Sequence, residues 1–259
     1  MILPAPDLLR HVLPLERERV VPLINPAMLY NKHLGFRRGV AALEAEGNAS
    51  YIKVREKVAH FLSPEVFSAL YRPAGVYRFL PAESDGNSLY LYTQGPVERL
   101  NFPRQKDGEK LCLADFAGKP ENGVRDTIAL FAVTAGAEFL AASAKLAENG
   151  SLADSHLVNI LGMCVAEASA EYMHARLREL WGIGDNLPPI DLFGTKYRGR
   201  RFSFGYPACP DLSGQDTLFS LLRPADIGVT LTQDYMMEPE ASVSAIVFHN
   251  PAAKYFAAG

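Results

Sequence analysis

The segment YRGRRFSFGYPACPDL, residues 197–212, packs two adjacent arginines, two glycines, several aromatics and one cysteine between two prolines. Gly205 and Pro207 flank Tyr206, and Pro207 and Pro210 bracket Ala208 and Cys209. This composition makes a poor helix and a poor regular strand, so the backbone is expected to be stiff and specially shaped. A stiff loop carrying arginine and tyrosine suits ligand holding better than core filling. Arg201 is followed by Phe-Ser-Phe-Gly-Tyr. Alternation of faces in an extended segment would carry its guanidinium into a partly apolar cleft, where the planar fork matches a carboxylate. Arg200 reads as surface charge just as readily.

A second group of candidates lies on a long helical pattern. Glu167, Glu171 and His174 fall along its more polar side. Glu-x-x-His is the spacing of carboxylate-bridged di-metal bundles, which need a second helix of the same kind. The sequence contains no other, so no metal site is expected. The group then reads as a solvated face, or as one glutamate turned into a ligand cleft. Met236 and Met237 sit between Asp234 and Glu238, either as core filler or exposed in a loop to pack on a large flat ligand or partner. Gly-x-Ser-x-Gly, the P-loop and Gly-x-Gly-x-x-Gly are all absent, and no histidine neighbours Cys209. Local triad chemistry, nucleotide triphosphates and a Rossmann site are thereby disfavoured, including the doubly wound type of S-adenosylmethionine (SAM) methyltransferase.

The elements that must position these residues follow from periodicity. Leu8, Leu9, Val12 and Leu15 predict a short amphipathic helix over residues 7–19. A helical region spans about 40–70, interrupted at 47–50. Strands are predicted at 75–80 and 88–92, joined by a turn at 83–87, with 94–110 as a surface loop. DTIALFAVT, residues 126–134, reads as a strand buried on both faces, followed by a helix of small residues to about 148. The next helix, 155–181, has Asp154 or Ser155 as its cap and a stripe of Leu157, Ile160, Leu161, Cys164, Val165, Ala168, Tyr172 and Leu180. A short helix around Leu218 and strands near 228–232 and 242–248 complete the chain as one α+β unit.

The totals narrow the class. Of 259 residues, 48% are hydrophobic and 21% charged, proportions that supply a sizeable core. A net charge of −3 gives no reason to expect nucleic acid or an anionic membrane as partner. No apolar run reaches the roughly 20 residues that span a bilayer. MILPAPDLLRHVLPLERER does not read as a secretion signal, so Cys112, Cys164 and Cys209 are expected to be reduced thiols of a cytoplasmic protein.

Five separated blocks carry a resemblance. LCLADF, DTIALFAVTAG, AEASAEYMHARLRELWG, YRGRRFSFGYPACPDL and LTQDYMMEPEASVSAIVFHNPAAKYF together resemble the C-terminal activation (reactivation) domain of cobalamin-dependent methionine synthase. The likeness runs in the same order from about residue 25 to 256. It implies a single C-shaped α+β domain around a twisted antiparallel sheet with flanking helices, a SAM-binding fold distinct from Rossmann. Residues 1–259 form that domain, with 1–24 as an N-terminal helical extension. In the family, a flavodoxin-like or other one-electron donor reduces cob(II)alamin, and SAM held by this domain remethylates the cobalt.

Carried over by motif, Arg201 meets the SAM carboxylate, the backbone around Ser203 holds the adenine or amino-acid portion, and Glu167 helps bind SAM at the cleft. Gly205 and Tyr206 shape the wall, while Tyr255 and Phe256 complete the pocket. Met236, Met237 and Pro239 fall where the family domain leans on the corrin. INPAMLY aligns with a segment that carries a SAM-contacting aspartate, replaced here by Asn25, which hydrogen-bonds but forms no ion pair. Asn250 replaces a common histidine. Neither homocysteine, folate nor cobalamin modules, nor the Asp-x-His-x-x-Gly cobalt-ligand motif, occur in the sequence. The expectation is a stand-alone reactivation subunit of methionine biosynthesis, acting in trans on a cobalamin-binding methionine synthase protein and supplying no catalytic acid or base. An independent SAM-dependent methyltransferase of the same fold, a non-catalytic SAM-binding partner and an excised domain of a longer enzyme are the alternatives.

Overall fold

A computed structural model describes residues 2–120 and 123–258. Its backbone is organised by β2 (Ala74–Asp85), a strand long enough to serve three neighbours. One edge is shared by β1 (Arg10–Pro14), paired at residues 74–78, and β3 (Ser88–Leu91), paired at 82–85. The other edge pairs along its length with β5 (Asp126–Thr134). Adding β4 (Glu98–Asn101), β6 (Arg200–Phe202) and β9 (Ser242–Phe248) gives a seven-stranded antiparallel sheet ordered β4-β3-β2-β5-β9-β6, with β1 off this path beside β2. A separate two-stranded ribbon joins β7 (Thr230–Leu231) to β8 (Met237–Glu238).

Alternation of side chains divides the interior into two cores. Ala129, Phe131 and Val133 of β5, with Ala245 and Val247 of β9, face a helical layer. It contains α1 (Arg17–Val20), α2 (Val40–Ala45), α3 (Ala49–Phe61), α4 (Pro64–Leu70), α5 (Glu138–Glu148) and α6 (Leu152–Leu180). Ile128, Leu130 and Ala132, with Ile246 and Phe248, face the opposite core, closed by Phe116, Phe202, Phe204 and α8 (Gly214–Leu222). A short α7 (Pro189–Phe193) precedes the segment that leads into β6. The antiparallel sheet with flanking helices is the α+β class expected.

Helix α6 is the spine of the helical layer. It is buried on nearly every side, as expected of a helix enclosed by sheet and neighbours. Of the three residues expected along a solvated face or a cleft, Glu167 is exposed whereas Glu171 and His174 are buried. The helix also begins one turn earlier than expected. Ser151 is the N-cap and offers no side-chain bond, so neither Asp154 nor Ser155 caps it.

Other sequence expectations are corrected by pairing between distant segments. Residues 10–14 form a strand against β2, not part of a 7–19 helix, and leave Leu8, Leu9 and Val12 exposed. Arg10 reinforces that docking by donating to the carbonyls of Leu222 and Arg223 and to Asp226. The presumed loop 94–110 contains β4, which exists because β3 offers it a ladder. The β2–β3 hairpin tightens to a two-residue turn at Gly86 and Asn87.

One glycine fixes the approach to β6. Gly199 has φ +81°, and a Cβ there would lie 2.7 Å from the Phe248 carbonyl oxygen. A Gly199→Ala change is therefore expected to cost about 2 kcal/mol or more. Thermal denaturation should read this as a melting temperature lower by about 5 °C or more.

Candidate functional site

The approach of β6 to α6 creates the site. Arg201 pairs through its backbone with Val247 of β9, which points its side chain toward the helix and leaves Phe202 in the opposite core. Its Nη1 donates to Glu171 Oε2 at 2.7 Å, and Nη2 lies 3.8 Å from Glu167 Oε2. Glu167 and Glu171 are one helical turn apart, so both face the strand. Burial works against the Arg201 cation, and the carboxylates of Glu171 and Glu167 more than offset it, so its pKa rises. Arg200 behaves differently. Its Nη1 turns back onto the carbonyls of Tyr197 and Gly199 and stiffens the segment that delivers Arg201.

This pair forms one wall of a cavity of about 500 Å³, a volume within the usual range for small-molecule sites. Helix α6 contributes Met163, Cys164, Glu167, Ala168 and Glu171, a face repeating at one-turn intervals. A π-helical turn, Ala27–His33, contributes Met28, Lys32 and His33, with Asn25 just before it. Tyr206 and Tyr255 close the mouth and are more than half exposed. The wall thus presents two carboxylates, one guanidinium and an apolar-aromatic rim, a set that fits a zwitterionic head attached to a flat ring system.

The structure brings Asn25, Glu167, Arg201, Tyr206 and Tyr255 together on this cavity. Ser203, Gly205 and Phe256 are not among its lining residues. Ser203 instead offers its carbonyl to the Cys209 thiol at 2.9 Å. Gly205 adopts φ +85°, and its N–H donates to the Cys209 carbonyl, closing the turn that thrusts Tyr206 outward. Phe256 packs on Phe116 and Phe202, inside the core behind the cavity. Met236, Met237 and Pro239 lie on and beside the β7–β8 ribbon, with Met236 half exposed and Met237 held in β8 rather than in a loop.

Asn25 is engaged locally. Its Oδ1 accepts from the amides of Ala27 and Met28, leaving the Nδ2 group as the part free to meet a ligand. Sequence reasoning did not foresee Lys32, His33, Met28 or the Glu171–Arg201 pair. The last joins residues thirty positions apart on different elements, a contact no local pattern reveals. All three cysteines are buried, and burial pushes the thiols of Cys164 and Cys209 up to about 12.

Two other hollows are weaker candidates. One of about 180 Å³ beside Phe204 and Asp211 is small for a cofactor-sized ligand. The other, between α3 and α6, is flanked by Lys57 and Asp154, which already bond each other. Among the described residues no group of three or more histidine, cysteine or carboxylate side chains could hold a metal ion, and no helix is long and apolar enough to cross a membrane.

Comparison with known proteins bears on this arrangement. The family described as vitamin B12 dependent methionine synthase, activation domain, matches residues 43–259. A methionine synthase of Mycobacterium tuberculosis (strain ATCC 25618 / H37Rv) is 39% identical over 204 residues, covering 72% of this chain and 17% of that protein. The methionine synthase of Mycobacterium leprae (strain TN) is 35% identical over 207 residues, covering 73% of this chain and again 17% of the relative. The chain therefore spans about a sixth of the length of these relatives. Among solved structures, the crystal structure of the MetH reactivation domain bound to AdoHcy superposes with a TM-score of 0.91 at 27% identity, covering 98% of this chain and 82% of the other.

Proposed function

Because the chain belongs to the activation-domain family of vitamin B12 dependent methionine synthase, we propose that its cavity binds SAM and presents it for reductive remethylation of cob(II)alamin on a separate cobalamin-binding methionine synthase protein. SAM supplies the electrophilic methyl group, an external one-electron donor of flavodoxin type reduces the cobalt that accepts it, and AdoHcy is the product left behind. The observation that carries the reading is the Arg201–Glu167–Glu171 wall inside a cavity of cofactor size.

The chain's own residues bind and orient. Arg201 has Nη2 available for the carboxylate of the ligand's amino acid, since among the described residues no hydrogen bond engages it. Glu167 and Glu171 place negative charge on the α6 face of the cavity, opposite Lys32, so a sulfonium is favoured on the α6 side. Tyr206, Tyr255 and Met28 stand at the rim as an exposed apolar-aromatic surface, a property of docking faces. Met236, Met237 and Pro239 extend the reading as contacts for the corrin or its carrier. Orientation over the acceptor and exclusion of water are sufficient work for a site whose reactants are already activated.

Titration calorimetry with SAM tests the first half of this reading, and absence of binding would sink it. The second half is tested by adding a cobalamin-loaded methionine synthase lacking its own activation domain, together with a one-electron reductant. Growth of methylcobalamin absorbance only when this chain and SAM are both present is the expected result.

Asn25 offers a graded check. Asn25→Asp keeps the oxygen that caps Ala27 and Met28 and replaces the amide donor by a second carboxylate oxygen. It should tighten SAM binding by about three- to tenfold at low ionic strength, with the gain shrinking as salt screens the added charge. Calorimetry at two salt concentrations measures both.

A further inference from the structure

We propose that residues 182–196 form a hinged strap that gates the cavity and is latched shut by Arg178 and Asp185. Naming SAM as the gated ligand rests on the reading above. The strap joins the end of α6 to the segment before β6, and it is tied down lightly. From Asp185 to Lys196 its hydrogen bonds, among the described residues, run within the strap itself with one exception. That exception is the latch, in which Arg178 Nη2 donates to Asp185 Oδ1 at 3.3 Å.

What the strap covers is the cavity rather than a core. Leu192 is buried yet belongs to neither apolar core, and with Phe193 and Thr195 it lines the cavity. Ile190, two residues earlier, is 73% exposed, so one layer of chain stands between cavity and solvent there. The ends are built to turn. Gly182 has φ +72°, and beyond its chain neighbours no atom lies within 4 Å of where a Cβ would sit. Thr195, a β-branched residue, is held at φ +53°, a conformation such residues rarely keep. A segment with few apolar contacts and no ladder opens at a fraction of the cost of global unfolding. The latch sets the bias between closed and open. Arg178 is fully buried, and among the described residues its Nε and Nη1 have no partner, nor has Asp185 Oδ2. Its guanidinium lies 4.1 Å from the ring centre of Tyr197, another lining residue, so the latch abuts the cavity wall. Opening hydrates this cation and this carboxylate, which offsets the loss of their single bond and lowers the cost of moving the strap. Lids of this kind set the rates at which ligands enter and leave.

Surface plasmon resonance of AdoHcy over the immobilised chain tests the gate in the wild type and in Asp185→Asn. The substitution keeps the shape of the latch and removes its charge, so the strap opens more often and both admits and releases ligand faster. Both rate constants should rise at least threefold, with Kd changed by less than twofold. An unchanged association rate, with any loss of affinity confined to dissociation, would make the strap a fixed wall and overturn the proposal. Should the variant fail to fold, hydrogen exchange of the wild type decides. The amides of Leu192, Gly194 and Thr195 are all hydrogen-bonded within the strap. In the free chain they should exchange at least 100-fold faster than those of α6, and AdoHcy should slow them at least tenfold. Protection equal to that of α6 in the free chain would overturn the gate. Absence of any AdoHcy binding overturns the SAM reading and the gate's ligand with it, whereas binding at an unaltered association rate overturns the gate alone.

Discussion

Arg201→Ala is expected to weaken SAM binding by about 30- to 5,000-fold. The estimate follows from the roughly 2–5 kcal/mol lost when one member of a buried, hydrogen-bonded charge pair is truncated. Two losses combine. The ligand carboxylate loses a cationic fork, and Glu171, with a side chain only 10% exposed, keeps its charge without the partner 2.7 Å away. The second loss falls on the protein, because an isolated buried carboxylate is strongly destabilising. Calorimetry must therefore be accompanied by a melting curve showing that the variant is folded at the titration temperature. Arg201→Lys separates charge from shape. An ammonium restores the charge but not the fork that meets two carboxylates and a ligand together, so recovery should be partial. A folded Arg201→Ala variant that binds SAM within threefold of wild type would remove Arg201 from the site.

The second large effect concerns stability. Asp126→Ala should cost about 3 kcal/mol or more, because it leaves three buried donors without their acceptor at roughly 1–3 kcal/mol each. Asp126 is 3% exposed and is the acceptor for three donors: His249 Nε2 at 2.7 Å and the amides of Gly118 and Thr127 at 2.7 and 2.9 Å. It thereby ties together the start of β5, the segment after Phe116 and the end of β9. His249 in turn packs edge-on against Trp181 at the end of α6. Chemical denaturation should reveal the loss as a lower midpoint with unchanged slope.

The same carboxyl predicts an acid response. Burial raises the Asp126 pKa, but the His249 bond and the two amides together more than offset it, so the folded value lies below the ordinary one. A depressed folded pKa contributes stability that is complete above the unfolded pKa of about 3.9 and is lost as pH falls through the folded value. Asp126→Asn should flatten the stability profile in that acid window, relative to wild type, while remaining less stable than wild type at neutral pH.

What the sequence disclosed depended on how local its causes were. β5 and β9 were legible from continuous apolar runs, and α6 from a stripe repeated over many turns. The N-terminal strand was not. Leu8, Leu9, Val12 and Leu15 have helical spacing, yet residues 10–14 are claimed by a free edge of β2 more than sixty positions away. β4 was hidden for the same reason, being polar and held by its ladder with β3. At the site, the segment around Arg201 announced itself through composition, and the five blocks supplied Glu167, Tyr206 and Tyr255. Glu171 was visible only as half of an incomplete metal spacing. Its partnership arises from how a short strand crosses a long helix, a three-dimensional fact. Ser203, expected to hold the ligand through its backbone, and Gly205, expected to shape the wall, lie in the turn that carries Tyr206.

The π-helical turn at Ala27–His33 lies outside residues 43–259, the part of the chain matched by the family. The cavity is thus lined by two stretches: the matched one, which bears the arginine and the glutamates, and an upstream one that contributes Asn25, Met28, Lys32 and His33. A protein trimmed to the matched region would still match the family yet lack the wall that Leu23, Asn25, Met28, Lys32 and His33 supply.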